Sequence, residues 1–219
     1  MNQQTAESIL EELYRQYPCD ADDMNFLKFR NPFELLIMTI LSAQTTDRTI
    51  NGLRDELFSA YPDAAALSCA DPADVERIIH SAGFYRAKTK NIIGAAKMLE
   101  EKFGGVVPKT IPELITLPGV GRKTANIVTN HGFHDACGIA VDTHVRRLAK
   151  KIGFTQHTDP DKIETDLMTL FSKKWWSKIN FLLISHGRAV CTAKKPDCMK
   201  CIIRHNCQSY ISRGEECQK

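Results

Sequence analysis

No run of apolar residues in these 219 positions approaches the ~18 that a membrane span requires. No sustained alternation of apolar and polar residues is bounded by hairpin turns, so the pattern of half-buried strands is missing. No low-complexity stretch and no long-period repeat breaks the chain. The N-terminus, Met1 to Tyr17, is polar and mildly acidic. It has neither the apolar core of a secretory signal nor the basic character of a transit peptide, so the expected location is the cytoplasm. Thiols stay reduced there, and eight cysteines then favour metal ligands and ordinary buried thiols over a disulfide framework.

What remains reads as helix. Apolar content is 43% and charged content 25%, which suits a globular chain with a real core. Ile9, Leu10, Leu13, Tyr14 and Tyr17 recur at helical spacing. Asn31-Pro32, Asp71-Pro72 and Asp159-Pro160 each place a capping side chain before a proline suited to the first helical position. Helices are expected after each, and at roughly 46–60, 85–103, 122–132, 143–152 and 174–189. Gly104-Gly105 and Pro108 mark a loop, and a second break falls near His134 to Gly138.

The net charge of +3 hides an asymmetry. Residues 1–143 hold 14 Lys/Arg against 19 Asp/Glu, whereas residues 144–219 hold 15 against 7. The basic last third suits contact with a polyanion such as DNA, although a solvated basic face would read the same way.

Within that third, Cys191, Cys198, Cys201 and Cys207 fall inside seventeen residues, with Pro196 and basic residues between them. The spacing is Cys-x6-Cys-x2-Cys-x5-Cys, with one tight pair and two outlying thiols. Structural zinc favours two close pairs, whereas four thiolates spread in this way suit an iron–sulfur cubane. His205 is a competing ligand. Cys19, Cys69 and Cys137 stand alone and read as structural, and Cys217 reads as spare.

The second dense signal is Leu117-Pro118-Gly119-Val120-Gly121-Arg122-Lys123-Thr124-Ala125-Asn126. A short helix, Pro112 to Leu117, is expected to enter two glycines, with a longer helix behind. Backbone amides at such a helix entrance can meet a phosphate without reading a base. On spacing alone, Lys123 is readable as a phosphate-binding lysine beside Arg122 or as an amine nucleophile. A helix N-terminus disfavours the ammonium, which helps the second role.

The ten-residue string resembles the helix–hairpin–helix signature of the endonuclease III family of DNA glycosylases. Leu41-Ser42-Ala43-Gln44-Thr45-Thr46-Asp47 is similar to that family's first DNA-contacting segment, and Val141-Asp142-Thr143-His144-Val145 to its catalytic aspartate motif. The cysteine spacing matches its four-iron, four-sulfur loop. The blocks run in the family's order from residue 41 to 207.

The resemblance implies an all-α protein of two helical domains. A six-helix barrel of residues 25–135 would carry the hairpin. Residues 1–24 with 136–219 would hold one [4Fe-4S] cluster on Cys191, Cys198, Cys201 and Cys207, with double-stranded DNA bound in the cleft between. It implies removal of oxidised pyrimidines and strand cleavage at the abasic site, with Lys123 and Asp142 catalytic. Gln44 would plug the gap left by the flipped base, and Leu117, Gly119, Val120 and Gly121 would contact DNA at the hairpin. Lys194 and Lys195 would meet phosphates. A monomer in the nucleoid is expected, with no membrane partner.

Phe84 falls where relatives commonly present a leucine-like wedge, and Arg146 where many carry an apolar residue. Phe84 as plain core, Asp142 as a simple helix cap and His144 as a structural hydrogen bonder remain open. The competing functions are a mismatch or adenine glycosylase without an efficient lyase step, and a non-catalytic cluster-bearing DNA-binding module. Lys123 and Asp142 together argue against the latter.

Overall fold

The computed structural model describes residues 1–18 and 24–216, so Cys19 and Cys217 lie outside the described residues. Among the described residues there are twelve α-helices and no strand, the all-α class expected. They are α1 (Gln3–Gln16), α2 (Pro32–Leu41), α3 (Asp47–Ala60), α4 (Ala64–Ser68), α5 (Pro72–Ile78) and α6 (Tyr85–Phe103). The chain continues through α7 (Ile111–Leu114), α8 (Arg122–Ile127), α9 (Thr143–Ile152), α10 (Pro160–Leu170), α11 (Trp176–Ala189) and α12 (Gln208–Glu216). No helix among them is long and apolar enough to cross a membrane. The chain divides into two compact units, Asn25–Asp135, and Met1–Met24 with Ala136–Lys219.

The centre of the first unit is α2. Its residues Phe33 to Leu41 are all buried, as a helix apolar on nearly every face must be. Asn31 caps it by accepting from the Glu34 N–H, with Pro32 inside the first turn. Glu34 is the one charge in this stretch. Its Oε2 accepts from the Arg30 N–H at 2.9 Å and from Arg54 Nε at 3.1 Å, so the buried carboxylate is partnered. Around α2 pack α3, α6 and α8.

The second unit is discontinuous in sequence because one apolar cluster joins its pieces. Ala6, Ile9, Leu10 and Leu13 of α1 meet Val145, Leu148 and Ile152 of α9, Ile163 and Leu167 of α10, and Ile179, Leu182 and Leu183 of α11. All twelve are fully or almost fully buried. Removing α1 would therefore expose apolar residues of this core to water.

Asn31, Asp71 and Asp159 each cap a helix as their sequence predicts. Differences arise where side chains compete with the ladder. The helix expected to run to residue 132 leaves α geometry after Ile127 and continues as a π-turn, Val128–Gly132. There the buried Thr129 hydroxyl donates to the Asn126 carbonyl at 3.2 Å, competing with the backbone ladder. The short helix ahead of the hairpin is shifted to Ile111–Leu114, because Thr110 caps it through the Glu113 N–H. Cys69 and Cys137, expected among ordinary buried thiols, are both exposed.

Candidate nucleic-acid interface and metal centre

The hairpin is built by a tight turn. The Val120 N–H donates to the Leu117 carbonyl at 3.1 Å, with Pro118 and Gly119 between them and Gly119 at φ 77°. Proline second and a positive-φ glycine third define a type II turn. Leu117 and Val120 bury their side chains, so what they offer a ligand is backbone. A Cβ on Gly119 would stand 2.9 Å from Asn91 Cβ and 3.0 Å from Ile40 Cγ2. The turn is thus seated against α6 and α2. Gly121 has ordinary extended geometry, open space where a Cβ would be, and no side chain to cap α8. Lys123 projects, exposed, from the second position of that helix, where backbone amides face the helix entrance.

Two further loops of this unit share an uncommon backbone. Gln44 (φ 55°) and Phe84 (φ 45°) are two of three non-glycine residues with positive φ among the described residues. For a phenylalanine this conformation is costly, of the order of 1–3 kcal/mol, and such strain concentrates at functional sites. Gln44 is the third residue of a turn closed by the Thr45 N–H on the Ser42 carbonyl, and its side chain is exposed. Phe84 is 72% exposed, which removes the plain-core alternative.

In the second unit Asp142 caps α9. Its Oδ1 accepts from the Val145 N–H at 2.7 Å. The cap is real, and because it occupies one carboxylate oxygen it also fixes the direction of the other. His144 Nδ1 lies 3.5 Å from Arg147 Nη2, a structural contact beside the motif. Arg146 is exposed on the same helix.

Cys191, Cys198, Cys201 and Cys207 line one cavity in this unit, with Pro196, Ile203 and His186 among its walls. All four are free, half-buried thiols. Burial and the neighbouring thiols push Cys201 up to about 11, and burial raises Cys207. That mutual repulsion is relieved when thiolates share a cationic group. Four thiols lining one cavity are a donor set that suits an iron–sulfur group. His205 bonds Arg204 at 3.1 Å and is not among the cavity's walls.

The sequence left the surroundings of these thiols unread. Buried His186 places Nε2 3.4 Å from Cys201 Sγ and Nδ1 3.1 Å from the Tyr17 hydroxyl. Burial, then the Arg147 charge, lowers His186 to about 4, so the ring is neutral at pH 7. With Cys201 as a thiolate, one assignment satisfies every group: Tyr17 donates to Nδ1 and the Nε2–H donates to sulfur. Arg147 donates to the Cys191 carbonyl, and the Cys207 thiol, while protonated, donates to the Lys151 carbonyl. Signals existed in the helical register, since His186 follows Ile179, Leu182 and Leu183 on the buried face of α11. Lys194 and Lys195 are exposed in the loop between the first two thiols, which Thr192 braces through the Lys195 carbonyl at 2.7 Å.

An all-helical chain with a glycine hairpin feeding a lysine-bearing helix defines a class, and comparison names it. The model of the HhH-GPD superfamily of base excision DNA repair proteins matches residues 37–173. Endonuclease III of Synechocystis sp. is 47% identical over 201 residues, 92% of this chain and 89% of that protein. Endonuclease III of Thermotoga maritima is 35% identical over 209 residues, 95% of each. A solved structure of a trapped endonuclease III–DNA covalent intermediate, an estranged-adenine complex, superposes with TM-score 0.89 at 38% identity. It covers 98% of this chain and 99% of its own. A thermostable thymine-DNA glycosylase, TM-score 0.85 at 20% identity over 95% of this chain and 98% of its own, shares the fold. The chain belongs to the endonuclease III family of the HhH-GPD superfamily.

The two hairpin glycines separate by experiment. Gly119→Ala should destabilise the protein by about 1–3 kcal/mol, through positive φ and the close contacts on Asn91 and Ile40. Gly121→Ala should leave the urea midpoint almost unchanged and still weaken DNA binding, because its added methyl meets nothing in the protein. Urea titration and fluorescence anisotropy with a duplex check both.

Proposed function

We infer that this chain is a bifunctional DNA glycosylase and abasic-site lyase of base excision repair that removes oxidised pyrimidines from duplex DNA. The observation that carries the reading is Lys123, exposed at the second position of α8 directly after the hairpin. The similarity to a trapped endonuclease III–DNA covalent intermediate supports it. The Lys123 amine bonds to the sugar C1′ as the glycosidic bond breaks and the base leaves. Opening of the sugar ring gives an iminium. Loss of a C2′ proton then expels the 3′ phosphate and cleaves the strand. An adenine-type enzyme that stops at base removal has no need of this amine.

Asp142 supplies the negative charge that the reaction needs as the sugar becomes cationic. Its capping bond fixes the carboxylate, so no ordering is required at the moment of reaction. Gln44 and Phe84 fill the space vacated when the target base leaves the stack, which costs a few kcal/mol. The Gly119–Gly121 backbone, Lys194 and Lys195 hold phosphates. Proteins of this family carry an iron–sulfur cluster. Cys191, Cys198, Cys201 and Cys207 would hold one [4Fe-4S] group here, whose contribution is to staple the C-terminal segment and present Lys194 and Lys195.

Duplexes carrying thymine glycol, uracil, an abasic site, or adenine opposite an oxidised guanine test the function. Thymine glycol should be removed with strand cleavage, and the abasic duplex should be cleaved. Adenine removal without cleavage would establish the monofunctional alternative. Asp142→Asn should bind damaged DNA at near-normal affinity and keep its thermal midpoint, because asparagine caps as well as aspartate, while turnover falls by orders of magnitude. A fully active Asp142→Asn would reduce Asp142 to a cap.

The purified protein should be yellow-brown and contain iron and sulfide in equal amounts, near four of each per chain by cubane ligation. Serine at any one of the four cysteines should give unstable or colourless protein, while serine at Cys69 or Cys137 should leave the colour intact. Native protein with about one zinc per chain would overturn the assignment.

A further inference from the structure

Lys88 is the one lysine in the core of the first unit. It is only 5% exposed, and burial lowers its pKa. Its ammonium donates to the Ala82 carbonyl at 2.8 Å and to the Thr45 hydroxyl at 2.7 Å. The Thr45 hydroxyl in turn donates to the same Ala82 carbonyl. The three groups close a triangle that uses two of the ammonium's three N–H donors and the Thr45 hydroxyl proton.

The two loops that this triangle joins are those with the strained backbone. Thr45 directly follows Gln44, and Ala82 stands two residues before Phe84. Gly83, between them, is itself at φ 66°. The Phe84 carbonyl accepts the Lys88 N–H at 3.1 Å, so the lysine's own backbone also anchors that loop. The loops lie 37 residues apart in sequence, by the separation of Thr45 and Ala82. A left-handed backbone at an exposed aromatic persists only where its surroundings over-determine it.

We propose that Lys88 is a positioning residue, whose ammonium locks the Gln44 and Phe84 loops into one rigid unit so that both side chains enter the duplex together. This rests on the reading that Gln44 and Phe84 contact DNA. An aliphatic side chain would fill the same space without the desolvation cost of a buried ammonium. What it would not supply is the bond across the two loops. Insertion of two side chains from independently mobile loops would cost additional ordering at the moment of binding.

The test uses the full-length protein and a duplex with a non-cleavable tetrahydrofuran abasic analogue beside 2-aminopurine, whose fluorescence rises when the stack is opened. Lys88→Met keeps the volume and removes the donors. Thr45→Val removes the bridging hydroxyl and keeps the shape, and so stands in should Lys88→Met fail to fold. Each should lower the fluorescence rise and slow single-turnover excision of thymine glycol about tenfold, for a lost charge-assisted bond at the opening step. Strand cleavage of a preformed abasic duplex should fall less, and the thermal midpoint of Lys88→Met should move little. In a Gln44→Ala/Phe84→Ala background, Lys88→Met should add no further loss.

Normal fluorescence and excision in Lys88→Met and Thr45→Val, with both reduced in Gln44→Ala/Phe84→Ala, would overturn the role of Lys88 alone. So would a full additional loss in the combined variant. An unaffected Gln44→Ala/Phe84→Ala protein would overturn the reading of the loops, and the inference with it.

Discussion

Gly119 touches two helices with nothing but a hydrogen to spare. Its φ of 77° lets the chain reverse within one turn, and its missing Cβ lets that turn rest on Asn91 of α6 and Ile40 of α2. From that seat the positions of Gly121, the first amides of α8 and Lys123 follow, because only Val120 and Gly121 separate the glycine from the start of the helix. The helix α2, buried from Phe33 to Leu41, is the base against which the turn is held. The first unit therefore transmits core packing into placement: a helix with almost no polar face fixes a glycine, and the glycine fixes an amine.

The same unit uses a second device for its other two candidate contacts. Gln44 and Phe84 stand in backbone conformations that their side chains disfavour, and a buried hydrogen-bonded triangle ties their loops. In the second unit the equivalent support is built around sulfur. Tyr17, His186, Arg147 and the Lys151 carbonyl each meet one of the four thiols or a group bonded to it. Because Tyr17 follows α1, the N-terminal helix is tied to His186 of α11, and through it to Cys201, by hydrogen bonds as well as by its apolar face.

Local chemistry was legible in the sequence wherever it was strong and contiguous. Asn31-Pro32, Asp71-Pro72 and Asp159-Pro160 announce helix starts because capping and proline geometry act within four residues. The hairpin string and the cysteine spacing are legible for the same reason. What escaped was long-range. Nothing near Thr45 announces that its hydroxyl meets Lys88, and nothing near Cys201 announces His186. Register offered a partial signal: Lys88 shares a stripe with Ile92, Ala95 and Leu99 on the buried side of α6. A charge on an apolar stripe calls for a partner, but the partner's identity is a property of the fold. The burial expected of Cys69 and Cys137 rested on residue type alone, and both are exposed. The positive φ of Gln44 and Phe84 carried no sequence mark, since neither is glycine or asparagine.

Borohydride trapping tests the central claim, that the hairpin exists to deliver the amine of Lys123. Incubated with an abasic duplex and borohydride, the protein should form a stable adduct, and peptide mapping should place the modification on Lys123. Lys123→Gln should bind the same duplex and yield no adduct. An adduct mapped to another lysine, or one that persists undiminished in Lys123→Gln, would contradict the account.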